Sequence, residues 1–135
     1  MSTLENIKLS FRLGDTWSSP VWAVLIDDLP VDLGVGGWVV RCQAKRLPTD
    51  SSPVQEWSTG NQRVILGRAQ VVYGNDGSTG ETSTVQLVHT ASASQSWDPF
   101  SADFDIEIER GSGTNVERHT LVSGRITGTR DVTRA

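Results

Sequence analysis

The chain has 135 residues, of which 12 are basic and 16 are acidic, so its net charge at pH 7 is −4. This length predicts one domain that buries about two thirds of the surface exposed by its unfolded chain. The basic residues are scattered singly, which argues against nucleic-acid binding, and no run of about 18 apolar residues is present to form a membrane helix.

The start of the chain, MSTLENIK, lacks the basic segment and apolar stretch of a secretory signal. We therefore expect synthesis and assembly in the cytoplasm. The one cysteine, Cys42, rules out an internal disulfide bond. It alternates with Val40 and Ala44, which predicts a buried thiol that packs as a small apolar group rather than a reactive nucleophile.

Extended segments are predicted along the whole chain, and turn-forming Gly, Pro, Asn and Asp residues separate them. The predicted strands are residues 7–13, 21–26, 31–33, 38–45, 54–57, 63–73, 82–89, 103–109 and 116–129. This pattern predicts a single all-β domain over residues 1–135, an antiparallel β-sandwich of seven to nine short strands. A small β-barrel is the alternative architecture.

Three features interrupt this pattern. Residues 48–61 are rich in turn formers and are predicted to be a mobile loop around a short strand. Gly67 falls within a strand and is expected to form a β-bulge. Residues 90–97 are small and polar, and we predict one helical turn there, capped by Thr90 or Ser92.

The clearest element is a hairpin near the end of the chain. In the segment DFDIEIER the residues Phe104, Ile106 and Ile108 face one way and the carboxylates face the other, because side chains of an extended chain alternate. Gly111 and Gly113 tolerate the positive φ that a chain reversal requires. The sequence therefore predicts that residues 116–129 return antiparallel to this strand.

The hairpin also carries a row of four acidic side chains on one strand face. We interpret the row as a solvated or arginine-paired face, and contact with a partner or calcium binding are the alternatives. Its members are Asp103, Asp105, Glu107 and Glu109.

Six short motifs follow one another along nearly the whole chain. They are Gly14-Asp15-Thr16, Val31-Asp32-Leu33, Trp38-Val39-Val40-Arg41, residues 103–107, residues 120–124 and Asp131-Val132-Thr133-Arg134. Their order and spacing resemble a family of small phage and prophage virion proteins related to the immunoglobulin-like N-terminal domain of phage upper baseplate proteins. The resemblance implies an immunoglobulin-like sandwich that is part of a virion and is made in the host cytoplasm.

The resemblance implies a function without catalysis. We expect an adaptor or assembly module of the tail, baseplate or neck that binds neighbouring virion proteins and copies of itself in a symmetric assembly. A cement protein that decorates the capsid is a second interpretation. A carbohydrate-binding module that recognises a host surface glycan is an alternative of another class.

Five side chains are candidate partner contacts. Trp17, Trp57 and Trp97 lie between polar residues, so each indole is expected either to fold back onto the domain or to be buried against a partner. Stacking of one of these rings on a sugar is the rival interpretation. Arg130 and Arg134 near the end of the chain are the other two candidates.

Sequence motifs for catalysis or metal binding are not apparent. Trp22 and Trp38 fall in apolar segments and are predicted to lie in the core, whereas His89 and His119 are predicted to lie at the surface or at strand edges. No serine lies in a Gly-x-Ser-x-Gly motif, and no cysteine and histidine residues have the spacing of metal ligands. We therefore predict no enzyme activity, no cofactor and no metal site.

Overall fold

The computed structural model describes residues 3–47 and 49–130, and these residues are nearly all β. Their elements are β1 (Leu4–Leu13), β2 (Trp17–Ser18), β3 (Trp22–Ala23), β4 (Leu25–Ile26), β5 (Leu29–Pro30), β6 (Val39–Lys45), β7 (Gln55–Ser58), β8 (Val64–Tyr73), β9 (Ser78–His89), the helix α1 (Ala91–Gln95), β10 (Phe100–Arg110) and β11 (Glu117–Arg130). Four of the strands have only two residues, so seven longer strands form the framework. Three of these seven, β1, β9 and β10, are longer than the strands we predicted there.

Five of the strands form one sheet in the order β1-β11-β10-β6-β7. The predicted closing hairpin is its centre: β10 pairs antiparallel with β11, and Phe104, Ile106 and Ile108 are buried. Gly111 and Gly113 both have positive φ in the turn. The one exception to antiparallel pairing within this sheet is β1, which runs parallel to β11.

The second sheet is built on β9. Strand β8 pairs with β9 over ten consecutive residue pairs, and the short strands β2 and β3 follow one another along the other edge of β9. A small hairpin of β4 and β5 adjoins this sheet. Its two turn residues, Asp27 and Asp28, both have positive φ, as a two-residue type I′ turn requires.

The two sheets pack face to face, which confirms the predicted all-β sandwich. The order of strands matches the variable-type immunoglobulin arrangement. In the five-stranded sheet, β11, β10, β6 and β7 take the places of strands G, F, C and C′. In the second sheet, β8 takes the place of strand D, β9 that of strand E, and β2–β3 together that of strand B. The largest fully buried side chains are Trp57, Phe104, Leu87, Ile106, Ile108, Ile126, Val24, Val40, Val85 and Val122.

Close backbone approach explains how β1 joins the sheet. The register between β1 and β11 shifts between Leu4 and Ile7, where Asn6 has a φ of 61°. A Cβ atom added at Gly124 would overlap the carbonyl oxygen of Ile7 and would lie 2.6 Å from its nitrogen. Glycine at position 124 therefore allows the N-terminal strand to pack against the C-terminal one.

The bulge predicted at Gly67 is wrong. Strand β8 pairs continuously through Gly67, which lies opposite Thr84, and an added Cβ would be 2.8 Å from the Thr84 hydroxyl oxygen. Close packing against the neighbouring strand accounts for this glycine. A register shift occurs instead between β10 and β11, where Leu121 is the extra residue and both Leu121 and Val122 are buried.

Two other segments refine the predictions. Within residues 48–61, which were predicted to be a mobile loop around a short strand at 54–57, that strand is β7 (Gln55–Ser58) and pairs with β6. The predicted helical turn is α1, and the Thr90 hydroxyl oxygen caps it by accepting a hydrogen bond of 3.1 Å from the Ala93 amide. Of the two candidate caps, Thr90 is thus the one used.

Candidate functional site

Two of the predicted partner contacts lie in the core. The Trp57 side chain is fully buried and Trp97 is 8% exposed, so neither ring is available to an external protein or sugar in this fold. Of the two predicted alternatives, folding back onto the domain is the one observed at these two positions. Strand β7 directs Trp57 inward opposite Cys42, and Trp97 folds inward directly after α1.

These two rings belong to an aromatic cluster, which we define as Phe11, Trp17, Trp57, His89, Trp97 and Phe100. Phe11 is central: its ring centroid lies 5.3 Å from that of Trp17, 4.6 Å from that of His89 and 6.0 Å from that of Trp97. Most pairs in the cluster are edge-to-face or tilted, the arrangements that aromatic quadrupoles favour. Trp17 is half-buried here and folds back onto the domain.

His89 is buried inside the aromatic cluster, so the prediction of a surface histidine is wrong at this position. The Trp57 indole N–H donates to Nδ1 of His89 at 3.3 Å, and the second ring nitrogen, Nε2, is buried with no hydrogen-bond partner among the described residues. Burial lowers the pKa of His89 to about 4, and the charge of Arg63 acts in the same direction. The ring is therefore neutral at pH 7.

The tryptophans that we placed in the core are only half-buried. Trp22 and Trp38 pack against the edge of the core rather than inside it. The guanidinium of Arg110 lies 4.4 Å from the Trp38 ring centroid and covers one face of that ring. Both residues lie near sheet edges or turns, where an apolar sequence neighbourhood does not produce full burial.

The remaining candidates are Arg130 and Arg134. Arg130 is the last residue of that strand, pairs with Leu13 of β1 and is exposed. Arg134 lies outside the described residues, as does the rest of the Asp131-Val132-Thr133-Arg134 motif. Cys42 is buried as predicted, and burial raises the pKa of its thiol, so the reactive thiolate is strongly disfavoured.

The most ordered polar surface is the outer face of the five-stranded sheet, which we call the striped face. Charges of opposite sign alternate from strand to strand across it because cross-strand neighbours share a sheet face. The rows are Arg41, Gln43 and Lys45 on β6, the four acidic residues of β10, and Arg118, Ser123 and Arg125 on β11.

Ion pairs hold most of this face in place. Arg125 contacts Asp103 at 2.9 Å, and Arg118 contacts Glu109 at 2.8 Å and Glu107 at 3.7 Å. Arginine pairing, one of the interpretations of the acidic row, is confirmed for these three carboxylates. Within the described residues, no group of three or more potential metal ligands is placed to hold an ion.

Fewer ion pairs and side-chain hydrogen bonds form at the centre of the striped face. In the described part of the chain, the carboxylate of Asp105 and the ammonium of Lys45 form neither an ion pair nor a side-chain hydrogen bond. Both line an open cavity of about 450 Å³, and Asn6 and Arg41 also border it. Fixed charges thus surround two groups that remain available to a ligand or partner.

No family model matches the chain, and no curated protein matches it. The α-helix within the described residues has five residues, which is too short to span a membrane.

Proposed function

We propose that this protein is a non-enzymatic structural component of a bacteriophage virion, an adaptor in the tail, baseplate or neck that binds neighbouring virion proteins. The virion setting rests on the resemblance of the ordered motifs. Several of these motifs occupy positions with a structural purpose: Gly14, with a φ of 87°, ends β1, and Gly124 admits β1 against β11. These two motif positions therefore have roles in the fold of this chain, which supports the proposal.

The proposed binding role rests on one observation, the striped face. Its charged side chains are largely exposed, and an exposed ion pair contributes only about 0–1 kcal/mol to stability. The pattern therefore contributes little to folding. It is well suited to recognition, because rows of alternating sign match a complementary surface in one orientation and repel wrong partners.

The composition of this face also favours a protein partner. Arg41, Arg118 and Arg125 supply planar guanidinium groups, which lose hydration readily and are common in protein interfaces. The cavity around Asp105 and Lys45 offers one free charge of each sign, so a partner with an ion pair of its own could dock there. Both features point to contact with a folded surface.

The test is incorporation of variants into phage particles, with Asp105→Lys as the main variant. Asp105 is exposed, so its replacement leaves the fold intact but reverses a charge at the centre of the striped face. Asp98→Lys is the matched control, because Asp98 is also exposed and lies away from this face. Mass spectrometry of purified tails measures the copies present.

We expect wild-type protein and Asp98→Lys in purified tails, and at least about tenfold less Asp105→Lys, which corresponds to about 1.4 kcal/mol. Normal incorporation of Asp105→Lys would exclude the striped face as the docking surface. Wild-type protein on the capsid would establish the cement role instead, and its absence from particles would overturn the virion proposal.

A further inference from the structure

We propose that the free edge of β8 is an interface for a second copy of this chain, joined by antiparallel pairing of β8 with β8. The resulting dimer would have one sheet that continues across both copies. This inference does not depend on the virion role, because it rests on the edge strand alone. It concerns a different sheet from the striped face.

Strand β8 has the backbone of an interface strand. It pairs with β9 without interruption from Val64, opposite Leu87, to Tyr73, opposite Ser78, and within residues 3–47 and 49–130 no strand pairs with its other edge. Ten residues of strand extend about 33 Å. Along this length alternate N–H and C=O groups point outward and are available to another strand.

The usual devices that protect a free edge are absent from β8. Natural edge strands are commonly short, bulged, or interrupted by proline and lysine, whereas β8 is long and regular and its sequence is VILGRAQVVY. Its one charged residue is Arg68, which is bound by Glu81 at 2.7 Å and by Asp32 at 2.8 Å. Glu81 lies on β9, so this ion pair draws the guanidinium toward its own sheet and away from the edge.

Apolar side chains on β8 are exposed to a degree unusual for a solvated strand. Val72 is 69% exposed, Ile65 is 51% exposed and Leu66 is 38% exposed. These residues lie toward the two ends of the strand, and the polar residues Arg68 and Gln70 lie between them. Their burial is the driving force that strand pairing would add to the backbone hydrogen bonds.

The spacing of these residues identifies the occupant as another β8. Antiparallel pairing centred on Ala69 places Leu66 of each copy opposite Val72 of the other, on the same face of the joined sheet, and Ile65 opposite Tyr73. Each Arg68 then faces Gln70 rather than the other arginine, so like charges are not opposed. A two-fold axis makes both halves of this contact identical, as in an isologous dimer.

The first test is the dimerisation of purified protein, measured by sedimentation over a wide range of concentration. We expect the wild type to form a dimer and Val72→Lys to dimerise at least tenfold more weakly, because the lysine would meet the apolar surface of the second copy. Val35→Lys is the matched control, since Val35 is also exposed but lies outside β8. Circular dichroism and thermal unfolding check that each variant folds.

The second test measures the register by disulfide trapping. An equal mixture of Leu66→Cys and Val72→Cys proteins should form a covalent heterodimer on oxidation, because residues directly opposite in an antiparallel pair have Cα atoms close enough for a disulfide. Leu66→Cys alone should cross-link far less, since its two copies would be several residues apart.

The following results would overturn the inference: a wild-type monomer at every concentration, a Val72→Lys dimer as stable as the wild type, or equal cross-linking by Leu66→Cys alone. A β8 dimer together with normal incorporation of Asp105→Lys would contradict only the proposed docking role of the striped face.

Discussion

His89 shows how a single buried residue links the core of this protein to pH. Its Nδ1 accepts the Trp57 N–H, so the neutral ring carries its proton on Nε2, for which residues 3–47 and 49–130 offer no acceptor. A second proton would have to displace the Trp57 hydrogen bond and place a charge among aromatic rings. Both effects oppose protonation of the folded protein far more than of the unfolded chain.

The first residue-scale prediction is that acid destabilises the fold through His89. The pKa of His89 is about 4 in the folded protein and about 6.5 in the unfolded chain, so the unfolded chain binds more protons between these values. The stability that neutral His89 contributes to the fold is fully present above pH 6.5. It is lost as the pH falls toward 4, and the free energy of unfolding decreases by about 3 kcal/mol in total.

Urea unfolding of His89→Asn at several pH values tests this dependence. Asparagine retains an acceptor but does not titrate, so the stability difference between wild type and variant should shrink as the pH falls from 7 to 4. Gln70→Asn is the control and should keep the wild-type pH dependence, since Gln70 is exposed and has no titratable group. An equal wild-type-to-variant difference at pH 7 and pH 4.5 would contradict the assignment.

The tryptophans show what residue-level sequence reasoning can predict. The polar neighbours of Trp57 and Trp97 left a partner contact open, yet the two rings lie in the core, and the apolar neighbours of Trp22 and Trp38 suggested a core position that they only partly reach. Local polarity reports the average environment of a segment. Burial of a single ring depends on which sheet face it occupies and what lies opposite, and neither is local information.

At the scale of elements, the parallel contact between β1 and β11 closes one side of the five-stranded sheet. Leu9, Phe11 and Leu13 of β1 are buried, so loss of this strand would expose a large apolar surface. The contact depends on Gly124, where any side chain would overlap the Ile7 backbone. The strand is thus attached at a position where only glycine fits.

We predict that Gly124→Ala lowers the free energy of unfolding by about 2–3 kcal/mol, because the new Cβ forces β1 away from β11. Urea denaturation measures the loss. Thr129→Ala is the control on the same strand; Thr129 is exposed, and its replacement should change the stability by less than about 0.5 kcal/mol. If the two variants were equally stable, β1 would accommodate the new Cβ atom at position 124 with no loss in the free energy of unfolding.

Individual strands could be predicted from the sequence, but which strands pair with one another in the sheet could not, and the reason is physical. Alternation is a property of one strand, so β10 and β11 and the turn between them could be predicted from residues 103–129. Parallel pairing of β1 with a strand more than a hundred residues away depends on sheet order, which no local pattern encodes. The striped face could be found only in part: its acidic row was visible, but the flanking basic rows needed the register.

At the scale of the whole molecule, the two proposed surfaces lie on different sheets of the sandwich. The striped face belongs to the five-stranded sheet, and the free edge of β8 belongs to the sheet built on β9. One copy can therefore pair with a second copy through β8 and still present its striped face to another protein. Such an arrangement would give a dimer two identical docking faces and the avidity that follows from them.

The same architecture predicts a gradient of local stability across the molecule. Strand β10 has neighbours on both sides, and its inward side chains are almost completely buried, so its amides should exchange with solvent only through global unfolding. The β4–β5 hairpin has two residue pairs and can open locally. Hydrogen exchange should therefore be at least about a hundredfold slower in β10 than in β4–β5, and equal rates would mean that the hairpin unfolds only together with the sandwich.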